Sequence, residues 1–257
     1  MTTKQKVHLT KKIKNKKVQL YNKVKCTYWY YKIVINKREN DTTRTRIKPH
    51  KYNRERFKKV NEEINENYEK LLKYKIISKE VKSQRKKLKL MSKLIRIQFS
   101  QKLKNLEIIK YCINLQELWC GGNQITSIQG LENCINLRSL WCGNNQITSI
   151  QGLENCINLQ ELRCNYNKLI NLHGLENCIC LRKIWCDYNQ ITFIQGLEKC
   201  INLQELTCDN NQITNLHGLE NCINLQTLRC NYNKLTNLHG LENCINLQEL
   251  RCNYNGL

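Results

Sequence analysis

The sequence predicts an α/β solenoid: short parallel strands stacked side by side with irregular or short 3₁₀ returns, preceded by a basic, partly helical region. Two observations predict it. From Asn114 the 22-residue block NLQELWCGGNQITSIQGLENCI recurs at Asn136, Asn158, Cys180, Asn202 and Asn224, and a seventh copy starts at Asn246. Self-similarity at one fixed period is the signature of repeat architectures. Charge is also divided: residues 1–110 hold 34 of the 43 Lys+Arg and 9 of the 21 Asp+Glu, so the net +22 arises entirely there. We therefore divide the chain into a basic region, 1–104, and a repeat domain, 105–257.

A composition that is 40% hydrophobic and 7% aromatic excludes a wholly disordered chain. No stretch approaches the roughly 18 consecutive apolar residues of a membrane span, and the Lys-rich first thirty residues lack an apolar signal core. The expectation is a soluble intracellular protein, cytoplasmic or nuclear, without membrane contact.

In the basic region, VQLYNKVKCTYWYYKIVI (18–35) is rich in β-branched and aromatic residues and suggests one or two strands. Phe57, Val60, Ile64, Tyr68, Leu71 and Leu72 recur at helical spacing and predict a helix over about 53–77, with a continuation through 79–104 left open. The runs KKIKNKK (Lys11, Lys12, Lys14, Lys16, Lys17) and QRKKLKL (Arg85, Lys86, Lys87) could attract phosphate, and Trp29 among its tyrosines could stack on unpaired bases. A solvated Lys-rich surface is the alternative.

Between the two regions, Ile109, Cys112 and Ile113 still match the repeat. Leu94, Ile97 and Phe99 match it one residue out of phase, so a degenerate first repeat is expected to cap the stack.

Within each unit the spacing is L-x-x-L-x-C-x-x-N-x-[IL], first seen as Leu115, Leu118, Cys120, Asn123 and Ile125. One unit cannot bury its own apolar face. Stacked units bury Leu115, Leu118, Cys120, Ile125, Ile128, Leu131 and Cys134 with their copies in one column. Only about eleven residues follow the strand and its Asn, too few for a long helix and two turns. The amides from Asn123 to Asn255 are expected to satisfy backbone groups in the turn, and the glycines from Gly130 to Gly240 to mark a second bend.

This pattern resembles the leucine-rich repeat family, and the 22-residue unit with I-x-G-L-E-N-C is similar to its SDS22-like and internalin-like class. The Cys-rich, Ile-Asn-Lys-rich flavour is also similar to leucine-rich repeat proteins of giant DNA viruses. The resemblance covers about 114–257. It implies a right-handed arc with its parallel sheet on the concave face, and partners that differ widely from member to member.

Side chains alternate along a strand, so function in the repeats is expected on positions facing away from the core. One outward column reads Trp119, Trp141, Arg163, Trp185, Thr207, Arg229, Arg251. Beside it run Glu117, Ser139, Glu161, Lys183, Glu205, Thr227, Glu249, and then Gly121, Gly143, Asn165, Asp187, Asp209, Asn231, Asn253. Trp and Arg dominate interface energetics, which predicts a protein-binding strip. The alternative is that the indoles cover one another as cross-strand neighbours.

Fourteen of the 16 cysteines fall on two repeat positions with no C-x₂-C pair, which predicts buried free thiols and no metal site. His173, His217 and His239 alternate with Gln129, Gln151 and Gln195, an exposed hydrogen-bonding position. No phosphate loop, G-x-S-x-G turn or isolated carboxylate pair points to catalysis, so neither enzyme activity nor a cofactor is expected. The last copy stops at Asn-Tyr-Asn-Gly-Leu without a polar capping unit. Self-association through that end, or a truncated product, is the expectation it raises. The leading functional reading is a non-enzymatic scaffold binding a protein partner on the concave face; the second is nucleic-acid association through residues 1–104.

Overall fold

The computed structural model describes residues 51–77, 84–100 and 103–257; the run 11–17, Trp29 and the strands expected within 18–35 lie outside the described residues. In chain order the elements are α1 (Lys51–Lys73), α2 (Gln84–Met91), β1 (Arg96–Gln98) and a 3₁₀ turn (Glu107–Ile109). Seven strands follow: β2 (Glu117–Trp119), β3 (Ser139–Trp141), β4 (Glu161–Arg163), β5 (Lys183–Trp185), β6 (Glu205–Thr207), β7 (Thr227–Arg229) and β8 (Glu249–Arg251). All eight strands form one parallel sheet in sequential order. Each turn of the solenoid therefore adds one short strand beside the last.

The register follows from the repeat period. Leu118 pairs with Leu140 and Trp119 with Trp141, and every later rung repeats the alignment. Leu118, Cys120, Ile125, Ile128 and Leu131 are fully buried, and so are their copies over most of the stack. The core is a column that no single unit could have closed.

Two repeat positions hold the bends. Buried Asn167 donates through Nδ2 to the carbonyls of Cys142 and Cys164, both at 3.0 Å, and accepts the Ile147 N–H at 2.9 Å. One amide thus serves two consecutive rungs. At the second bend Gly174 has φ +113, and an added Cβ would lie 2.4 Å from the Ile150 carbonyl oxygen, so glycine is required by space as well as by dihedral.

The described part of the basic region is continuous with this core. Ile64, Tyr68 and Leu71 of α1 and Leu88 and Met91 of α2 are buried in one cluster with Ile97, Phe99, Leu106 and Ile109. The sheet begins at Arg96, upstream of the 104/105 division. β1 pairs Ile97 with Leu118, and Leu103, bonded to Asn123 as Ile125 is to Asn145, stands four residues after Phe99 where Ile125 stands five after Cys120. That missing residue is the phase slip seen in the sequence. Polar bonds reinforce the docking: Lys110 Nζ lies 2.6 Å from Glu63 Oε1, and the Tyr111 hydroxyl 3.1 Å from Glu63 Oε2.

The helix stops short of 77, and a separate helix, α2, lies within 79–104. α1 ends at Lys73, where the Ile76 N–H donates to the Leu71 carbonyl and the Lys75 N–H to the Leu72 carbonyl, both at 2.9 Å, with Lys75 at φ +57. This is a Schellman termination with lysine at the position glycine usually fills. Among the described residues, no helix is long and apolar enough to cross a membrane.

Candidate functional site: the outward face of the sheet

Because each strand's middle residue points into the core, its first and third residues share the opposite face. The Trp/Arg column predicted from alternation does line up there in register. Its members also touch. The rings of Trp119 and Trp141 stack with centroids 5.0 Å apart and planes 13° apart. The Arg163 guanidinium lies 4.0 Å from the Trp141 centroid and 4.1 Å from that of Trp185. Arg96 closes the upper end, 5.6 Å over Trp119 and bonded through Nε to Glu117 at 2.6 Å. The result is a ladder of stacked π faces with guanidinia at its end and between two of its rungs, a geometry attractive to both.

The carboxylate column beside it is spoken for by the same cations. Glu161 accepts the Arg163 Nε–H at 2.8 Å, Glu205 pairs with Lys183 at 3.0 Å, and Glu249 accepts from Arg229 at 3.1 Å and Arg251 at 2.6 Å. The Arg229 bond is the main influence holding the Glu249 carboxyl below the usual carboxylate range. Trp185 Nε1 donates to Glu205 at 2.9 Å. Trp141 would look to Glu161 in the same way, but that carboxylate is turned to Arg163, and the Trp141 N–H is buried without an acceptor. Cross-strand cover therefore describes much of the indole strip, and all three indoles are half-buried.

The third column continues the sheet with side chains. Asp187 accepts the Thr207 hydroxyl at 2.6 Å and the Asp209 N–H at 2.9 Å; Asp209 accepts the Asn231 N–H, and Asn231 that of Asn253. Burial is the main influence pushing the Asp187 carboxyl up.

One set of residues escaped alternation altogether. Immediately after this column the chain turns through φ of +54° to +68° at Gly122, Asn144, Tyr166, Tyr188, Asn210, Tyr232 and Tyr254. Gly and Asn suit that left-handed conformation, whereas a bulky side chain there is uncommon. Four units nevertheless carry Tyr. Tyr166 stacks on Tyr188 at 4.4 Å and Tyr232 on Tyr254 at 4.2 Å, each pair within 7° of parallel. All four rings are exposed, between 46% and 70%, well beyond the tryptophans. The signal was available in the sequence as aromatic residues standing where sister repeats have Gly or Asn.

On the basic side the structure removes one candidate. Lys87 turns inward: its Nζ donates to Asn65 at 3.0 Å, pairs with Glu69 at 3.1 Å and lies 4.7 Å over the Tyr68 ring. It locks α2 to α1 and is not offered to phosphate, because α2 presents that side of the helix to its neighbour. Lys86 is exposed, and Arg85 lies on the same helix. Among the described residues the ladder cysteines are free and, apart from half-buried Cys252, buried, with burial pushing Cys142 up to about 12. His173, His217 and His239 are exposed and each meets a Glu carboxylate three residues on.

The solenoid is thus built of leucine-rich repeats. The family model described as Leucine Rich repeats (2 copies) matches residues 113–155 and 181–221. Among solved structures the chain is similar to internalin C2 from Listeria monocytogenes, 27% identical over 66% of this chain and 75% of that one, with a TM-score of 0.62. It shares its fold with a leucine-rich repeat protein of Leptospira interrogans, 23% identical over 66% of this chain and 46% of that one, with a TM-score of 0.62. No curated protein matches the sequence.

Proposed function

We propose that this leucine-rich repeat chain is a non-enzymatic scaffold that docks a protein partner across the outward, concave face of its sheet. The observation carrying this reading is the alignment of Trp119, Trp141, Arg163 and Trp185 into one continuous contact ladder on a rigid face. Interfaces draw most of their energy from such aromatic and arginine anchors held in fixed rotamers. Arg229 and Arg251 extend the strip, and Glu117, Glu161, Lys183, Glu205 and Glu249 form a charged border that would set the register of the partner. The 22-residue unit with I-x-G-L-E-N-C supports an SDS22-like or internalin-like class. The test is cross-linked capture by the full chain against the Trp119→Ala/Trp141→Ala double variant. Proteins retained by the first and lost by the second support the reading; an unchanged set of captured proteins sinks it.

A second reading rests on the charge division, with 34 of the 43 Lys+Arg in residues 1–110. Residues 1–104 would then hold nucleic acid while the repeats assemble. Binding by the full chain to a random-sequence RNA or DNA should fall steeply with added salt, because counterions are released on contact. Affinity that does not change with salt would argue against it.

A further inference from the structure

The tyrosine column contains a geometric counterpart of the Arg163 sandwich. Trp141 and Trp185 stand two rungs apart, and the guanidinium of the intervening rung sits 4.0 Å and 4.1 Å from their centroids. Tyr188 and Tyr232 also stand two rungs apart. Their intervening residue is Asn210, whose side chain is much shorter than the two rings on either side of it, which leaves a cleft between them. Ring-centroid spacings of 4.4 Å and 4.2 Å per rung in the flanking pairs, with planes within 7°, and the strand spacing of a sheet put the ring planes of Tyr188 and Tyr232 roughly 8–10 Å apart. A planar cation stacked on both faces needs that separation. Each tyrosine's other face is covered by its stacked neighbour, Tyr166 or Tyr254, so the open faces are the two that look across Asn210.

Charge favours a cation there. Asp209 directly precedes Asn210, and Asp187 directly precedes Tyr188. Among the described residues, the hydrogen bonds Asp209 accepts fall on its Oδ1, leaving Oδ2 for a further donor. The tyrosines also stand in a left-handed backbone conformation that Gly122, Asn144 and Asn210 occupy with less strain, and conformational strain of this kind gathers at binding sites.

We propose that the Tyr188/Tyr232 cleft is a binding site for an arginine side chain of a protein partner. The guanidinium stacks between the two phenol rings and is drawn in by Asp209. The proposal rests on the protein-partner reading only for the origin of the arginine; the site itself is separate from the tryptophan strip.

The experiment titrates the full chain with acetyl-Gly-Arg-Gly-amide and with its lysine and citrulline counterparts, following tyrosine ring resonances and the peptide side-chain protons by NMR. The arginine peptide should perturb Tyr188 and Tyr232, and its δ-methylene protons should move upfield under two ring currents. Lysine should bind at least about fivefold more weakly because it lacks the planar fork, and citrulline, neutral and nearly isosteric, should give no saturating shift. Tyr188→Asn and Tyr232→Asn put in the residue that two sister units already carry at this turn, so the fold is kept, and each should abolish the shifts. Asn210→Arg should do the same by filling the cleft from within. Citrulline matching arginine, or arginine shifts surviving in Tyr188→Asn, would overturn the proposal. Trp119→Ala/Trp141→Ala should leave the peptide titration unchanged, so loss of protein capture in that variant and loss of peptide binding report separately on the two surfaces.

Discussion

The guanidinium of Arg163 lies 4.0 Å from the ring centroid of Trp141, held there by a 2.8 Å bond from its Nε to Glu161, two residues earlier on the same strand. Trp185 covers the other side. Replacing Arg163 with Thr, the residue Thr207 supplies in the same column, removes two cation–π contacts from a side chain that is 40% exposed. Solvent screening limits the loss to about 1 kcal/mol. Urea denaturation should register it together with a change in tryptophan emission. Arg163→Lys should recover less than half, because a point charge cannot stack flat against two indoles.

Asn167 predicts a larger effect. Its amide makes three buried hydrogen bonds to two rungs, so Asn167→Ala orphans the buried Ile147 N–H and removes one of the two amide donors from each of the Cys142 and Cys164 carbonyls, which keep Asn145 and Asn189. The expected cost is about 1–3 kcal/mol. Asn123 does the same job at the first rung but is only half-buried, with one bond stretched to 3.4 Å. Asn123→Ala should therefore cost less, and denaturant midpoints of the two variants give the comparison. Equal midpoints would mean that water satisfies the interior turn as well as the end one.

Much of this was legible in the sequence because translation makes one rung's physics every rung's. Leu118, Cys120 and Asn123 announce core, core and turn by spacing alone, and the outward tryptophans follow from alternation. What stayed hidden obeys other rules. Tyr188 and Tyr232 come after the strand, where alternation no longer applies and φ is positive, so a period-2 reading passes over them. The end of α1 was masked because Lys75 takes the left-handed position that glycine would have flagged. Lys87 read as one more surface cation because its partners, Asn65 and Glu69, lie on a different helix.

Two glycines at the same repeat position separate space from dihedral. Gly174 and Gly152 have φ of +113° and +114°, yet a Cβ on Gly174 would meet the Ile150 oxygen at 2.4 Å while one on Gly152 finds nothing nearer than 3.8 Å. Gly152→Ala should cost about 1–2 kcal/mol, for backbone strain alone. Gly174→Ala must also push neighbouring rungs apart and should lose at least about 1 kcal/mol more. Thermal unfolding of both variants measures the difference, and similar melting temperatures would show that the rung spacing is soft.

The cysteine ladder makes stability depend on alkali. Burial pushes Cys112, Cys142 and Cys230 up to about 12, and it raises Cys134, Cys156, Cys164 and Cys186 well above the ordinary thiol value. An unfolded chain ionises these thiols near pH 8.5–9 while the folded one holds them neutral, so protons leave on unfolding. The ladder's contribution is complete below about pH 8 and is lost as pH rises from about 9 toward 12, at up to about 1.4 kcal/mol per pH unit for each thiol. Denaturant midpoints should be flat in this respect up to pH 8 and then fall steeply. Cys142→Val keeps most of the volume and should shallow the slope by one proton. Thiol labelling checks the same point at pH 8: of the described cysteines, half-buried Cys180 and Cys252 should react in the native state, and the ladder only as the chain unfolds. Rapid native labelling of Cys142 would mean that the column opens to solvent and that its thiols do not hold the stack.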